Sequence, residues 1–212
     1  MSRSKRVFKL VAAKRPDLVL CQDRLVIAPV GDILRGFMLE TTSAKDMVYI
    51  WSMTMPLYRP SKGEYLEHSS RIAYVYIDRK AYQASAESVD SIIVPHIPVL
   101  RKIANARDFL GHISSKTGQG STNFNFDMAL SCLRVGDIDR AISILKQLPT
   151  EIDQFYQEYQ SSMPELKMAP SSYSNFLKKT ALRIVSDPTG SAALLDQWVD
   201  ENVEALGLHP VR

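Results

Sequence analysis

The residues best equipped for chemistry in this chain are four histidines, His68, His96, His112 and His209, and two cysteines, Cys21 and Cys132. No histidine stands in a His-x-x-x-His or His-Glu-x-x-His pair, the spacings that place two imidazoles on one helix face for zinc. Glu64, Glu67 and His68 are close enough to share a turn, where they would offer a general base or metal ligands. A solvated loop is the plainer reading of the same stretch. Both cysteines lie among apolar neighbours and neither belongs to a Cys-x-x-Cys pair. Two buried thiols are expected, with no disulfide framework and no structural zinc. The segment GHISSKT, Gly111 to Thr117, misses the phosphate-loop pattern because Ser115 stands where a glycine must precede the lysine. No nucleophile elbow and no dinucleotide fingerprint occurs. No catalytic, metal or cofactor residue is therefore assigned, and a non-enzymatic protein is expected. An enzyme whose site assembles from distant residues stays open as an alternative.

Charge offers two further candidates. Arg3, Lys5, Arg6, Lys9, Lys14 and Arg15 all precede the first acidic residue, Asp17. Arg3, Lys5, Arg6 and Lys9 would suit phosphates or an acidic protein partner. The span from Ile184 to Val211 contains five acidic residues and neither lysine nor arginine, so the chain's own last helix is another possible dock for the basic end. The formal net charge is only +3, too small by itself to imply nucleic acid, and no helix-turn-helix module is visible. Tyr49, Trp51, Met53, Met55, Leu57 and Tyr58 form an aromatic and methionine cluster. Core packing accounts for most of it, but an exposed part, with Trp51, Tyr58 and Arg59, would suit a protein-interaction hot spot.

These residues need a frame. At 212 residues, 45% hydrophobic and 23% charged, the chain can bury a sizeable core. No apolar run approaches a membrane span, and Val7 to Ala13 is too short and too broken by Lys9 for a signal peptide, so a cytoplasmic protein off the membrane is expected. Val7 to Lys14 reads as a short amphipathic helix ended at Pro16. Leu18 to Tyr58 reads as two or three antiparallel strands, with Arg35 to Leu57 one hairpin and Thr41 to Asp46 its tip. Ser69 to Asp78 is a further strand, alternating Ile72, Tyr74 and Tyr76 with Ala73, Val75 and Ile77. From Ala84 the apolar period turns helical. The Gly-, Ser- and Thr-rich stretch Ser114 to Asn123 marks a boundary. Helices should follow from Asn123 or Asn125 to Val135, from Asp137 to just before Pro149, and from a Thr150 cap onward. Two more should span about Ser172 to Ser186 and Ser191 to Leu206, with Gly207 the stop. The expected fold class is α+β: a small antiparallel sheet in a mixed region, 1–113, then an all-helical region, 123–212, either separate or one continuous domain.

The stretch LRVGDIDRAISILKQLP, Leu133 to Pro149, carries the clearest pattern. Gly136 permits the left-handed turn that ends one helix, Asp137 caps the next, and Ala129 and Ala141 let the two approach closely. Residues 123–149 resemble a single tetratricopeptide-repeat hairpin, with Ala129, Gly136, Ala141 and Pro149 near the repeat's spacing. The resemblance implies a peptide groove. No second copy follows at the repeat's period, so an ordinary helical hairpin is the competing reading. The N-terminal stretch ILRGFMLETTSAKDMVYIWSMTMPLYRP loosely resembles uncharacterised bacterial proteins encoded beside toxin or phage-defence genes. These readings converge on an interaction protein, an accessory subunit that binds a larger protein in a bacterial defence or toxin-immunity assembly. An accessory nucleic-acid binder using the basic N-terminus is the alternative. Oligomeric state is not legible at this level.

Overall fold

Ser2 accepts the Lys5 amide at its side chain and so starts helix α1, Arg3–Lys14, four residues earlier than the apolar periodicity suggests. The computed structural model describes residues 2–44, 46–60, 67–115, 121–163 and 171–211. The chain is α+β, with five antiparallel strands in the N-terminal half and mostly helices after them. It divides into two compact units, Met1–Phe109 with Trp198–Arg212, and Leu110–Gln197. That division differs from a single break between 113 and 123, because the C-terminal residues return to the first unit.

In the first unit, β1 (Leu18–Cys21), β2 (Arg24–Ile27), β3 (Ile33–Thr41), β4 (Met47–Pro56) and β5 (Ser70–Tyr76) lie side by side in sequence order, every neighbour antiparallel. Leu18 to Ile27 is a tight hairpin, turned by Gln22 at φ 55°, so the sheet gains a strand over the two or three expected up to Tyr58. The long hairpin β3–β4 pairs Ile33 with Pro56 through to Thr41 with Val48. Period-two alternation sends Leu25, Ile27, Phe37, Leu39, Val48 and Ile50 to one face. There they pack with Val7, Phe8 and Val11 of α1 and with Ala86, Val89 and Ile93 of α2 (Tyr82–Ile93). A lysine pair and an arginine pair reinforce this layer: Lys14 to Glu87 at 3.1 Å, and Arg15 to Asp90 at 2.5 and 2.9 Å. Gly36 is required for close approach, since a Cβ there would lie 2.1 Å from the Leu25 carbonyl oxygen.

Short α3 (Ile97–Arg101) and α4 (Ala106–Ser114) follow a single 3-10 turn. In the second unit, α5 (Thr122–Arg134), α6 (Ile138–Ser162) and α7 (Ser172–Ser186) pack in sequence, and α8 (Ser191–Ala205) carries the chain back to the first unit. Ser121, not an asparagine, caps α5 by accepting the Phe124 amide; Asn125 is committed to Glu151 at 2.8 Å. The α5–α6 corner is built as the sequence indicates. Gly136 has φ 85°, the Asp137 amide reaches back to the Cys132 carbonyl at 2.9 Å, and Asp137 accepts from the Arg140 amide. Helix α6 does not stop before Pro149 but runs through it, and Thr150 caps nothing. The apolar stripe Ala141, Leu145, Leu148, Ile152 keeps its three- and four-residue spacing across the proline. Packing of that stripe compensates for the one backbone hydrogen bond that proline removes.

Candidate functional site

The β4–β5 register decides where the aromatics go. Pairing places Tyr49 opposite Tyr74 and Trp51 opposite Arg71, with a bulge between Ile50 and Trp51. All four side chains stand on the sheet face that looks away from α1 and α2. The Arg71 guanidinium lies 3.7 Å from the Tyr49 ring centroid and 5.0 Å from that of Trp51. Trp51 Nε1 donates to the Glu40 carboxylate at 2.8 Å. Along the same face Tyr74 is 70% exposed and Tyr76 56% exposed. A cation over two rings, an indole held by a carboxylate and two open phenols form a pre-ordered surface of low net charge. Met53 and Met55, farther along β4, are buried, so only one end of this face is open.

The other sequence candidates fall elsewhere. Trp51 is on this face, half-buried. Tyr58 and Arg59 are not part of it: both are 0% exposed. They follow the end of β4, where Asn202 Nδ2 donates to the Leu57 and Arg59 carbonyls at 2.7 and 2.8 Å, and their burial corrects their expected place in a surface hot spot. The basic N-terminus is largely occupied within its own unit. Arg3 pairs with Asp46, which also accepts from Arg79 at 2.8 Å, and Arg6 lies 4.4 Å from the Tyr82 ring centroid. The acidic partners of Arg3, Lys14 and Arg15 are thus Asp46, Glu87 and Asp90 and not the last helix. Lys9 stays exposed and Lys5 half-buried on α1.

His68 is buried, edge-on to the Phe109 ring at 5.0 Å, while its carbonyl accepts from the Thr54 hydroxyl at 2.9 Å. Glu67 is exposed, and Glu64 lies outside the described residues. The GHISSKT stretch is helical through Ser114, and Lys116 and Thr117 lie outside the described residues. Among the described residues no three His, Cys, Asp or Glu side chains converge as metal ligands, and no helix is long and apolar enough to cross a membrane. Cys21 and Cys132 are free and buried, and burial raises both thiols above their ordinary range.

The second unit holds a cleft of about 420 Å³ lined by residues including Asn123, Glu151, Phe155, Glu158, Tyr156 and Tyr173. Tyr156 Oη accepts the Ser171 amide at 3.1 Å and lies 3.0 Å from Ser174 Oγ. Its contact with Ser174, then the Ser171 amide, holds the phenol below its ordinary range. Periodicity misses this cleft because it spans three helices. It also misses the sheet face, because β4 and β5 show which residues alternate but not which residue of one faces which of the other. Two signals in the sequence point to the face, the Tyr49–Trp51 cluster and the Tyr74–Tyr76 alternation.

Comparison with protein-family models, curated proteins and solved structures gives no match.

Proposed function

We propose that this chain is a non-catalytic interaction protein, an accessory subunit that binds a larger protein through the open end of its sheet face. The observation that carries the reading is the cluster Tyr49, Trp51, Arg71, Tyr74. Tyrosine, tryptophan and arginine dominate the energy of protein interfaces because each buries a large area at a small cost in conformational freedom. The cluster's geometry also favours a protein over a nucleic acid. Arg71 is balanced by Glu40 across the same face, and a surface that tracks phosphates needs several unpaired cations. A bacterial defence or toxin-immunity assembly is the setting that the resemblance of the N-terminal half implies. The test is purification of the tagged chain from its native cells, with the mass of the isolated species measured. A stoichiometric complex that disperses in the Trp51→Ala/Arg71→Glu variant supports the reading. A lone chain, or a complex indifferent to those substitutions, counts against it. Salt-dependent nucleic-acid binding lost on charge reversal at Arg3, Lys5, Arg6 and Lys9 would favour the nucleic-acid alternative.

A further inference from the structure

The outer edge of β5 is a feature separate from the sheet face. β5 ends the sheet, and among the described residues no strand lies beyond it. The Ile77 amide donates to the Asp46 carbonyl at 2.8 Å, which fixes the alternation of the ladder. Counting back along the Met47↔Tyr76, Val48↔Val75, Tyr49↔Tyr74 register, Val75 and Ala73 exchange hydrogen bonds with β4. Tyr74 and Tyr76 therefore aim their N–H and C=O groups at the open edge, while their rings stand exposed on the sheet face.

Sheets ordinarily blunt such an edge with lysine, proline or an inward-pointing charge. β5, SRIAYVY, has no lysine and no proline, and its one charge, Arg71, is drawn over Tyr49 and Trp51. The bulge sits near Arg71 and leaves the Tyr74–Tyr76 stretch regular.

We propose that β5 pairs with β5 of a second copy of this chain, antiparallel about a two-fold axis through Tyr74. The strand is complementary to itself in that direction. Tyr74 exchanges both backbone hydrogen bonds with its own copy, and the two phenols form a cross-strand aromatic pair. With Ile72 taken up by the bulge, Arg71 comes opposite Tyr76 of the other copy, on the same face. The two Arg71 side chains are then kept about 13 Å apart, four ladder steps at ~3.3 Å each, whereas an in-register parallel pairing would set them side by side. The dimer joins two sheets and makes their aromatic faces continuous. One strand pair buries little area, so the association is concentration-dependent. The docking reading uses Trp51 and Arg71 on the face, and this pairing uses the backbone edge at Tyr74. Either can fail without the other.

Light scattering across a dilution series tests it. The mass should rise from 23.9 kDa towards twice that value as concentration increases. Tyr74→Pro removes the outward amide without touching a bond to β4, and should hold the chain monomeric. Cross-linking decides the matter should that variant fold poorly. Cys21 and Cys132 are buried, so the thiol introduced by Tyr74→Cys is the accessible one. A short bis-maleimide should join two copies through it, and should not do so for Phe176→Cys on α7. A chain that is monomeric at every concentration overturns the proposal. So does a dimer that survives Tyr74→Pro and resists cross-linking through Tyr74→Cys.

Discussion

Two glycines are irreplaceable for different reasons, and the difference can be measured. At Gly136 a Cβ meets nothing within 4 Å, so the cost of alanine is the left-handed backbone alone. We expect Gly136→Ala to lower unfolding stability by about 1–2 kcal/mol. At Gly36 the backbone angle is permissive but a Cβ would strike the Leu25 carbonyl, so β2 and β3 must separate. We expect Gly36→Ala to cost more than Gly136→Ala, with partial loss of the native fold by circular dichroism. The buried thiols give a pH signature. Burial raises Cys21 and Cys132 from an ordinary value of 9.0, so the native state holds these protons more tightly than the unfolded chain. Their stabilising effect is full below pH 9.0 and is lost as pH climbs through the raised native values. Urea midpoints should fall on raising pH above 9.0, and fall less in a Cys21→Ala/Cys132→Ala variant. Tyr156, whose phenol is lowered, acts in the opposite sense and is common to both proteins.

At the scale of elements, the end of β4 is fastened by one side chain. Asn202 of α8 is 1% exposed and satisfies two carbonyls, Leu57 and Arg59, that water cannot reach. Asn202→Ala strands both acceptors, and we expect a loss on the order of 2–4 kcal/mol in denaturant unfolding. How much of this was legible in the sequence follows the range of the signal. The β3–β4 hairpin, α7, α8 and the Gly136–Asp137 corner follow from local alternation, caps and stops, and each lies within a residue or two of its expected bounds. Pro149 predicts a stop that α6 does not make, because a continuous apolar stripe outweighs one missing hydrogen bond when neighbouring helices pack on it. The burial of Tyr58 and Arg59 was illegible because Asn202, more than 140 residues away in sequence, meets them. The open face was half legible. Its aromatic content was visible, but the meeting of Arg71 with Tyr49 and Trp51 depends on cross-strand register and a bulge, which composition does not encode.

For the whole molecule, half of the six basic residues that precede Asp17 are paired with acids of their own unit. Those are Arg3, Lys14 and Arg15, which leaves Lys5, Arg6 and Lys9 of α1 as the cations that the nucleic-acid alternative would rest on. What the molecule offers outward instead is an ordered aromatic face with an open strand edge in one unit, and a polar, aromatic-lined cleft in the other. The proposed docking role draws on the first of these, where tyrosine, tryptophan and arginine meet. The direct test is a calorimetric titration of the purified partner into the wild-type chain and into Trp51→Ala/Arg71→Glu. Loss of a central aromatic–arginine pair should weaken binding at least tenfold, about 1.4 kcal/mol or more, with the fold unchanged by circular dichroism. Equal affinity of the two proteins would contradict the assignment of this face as the docking surface.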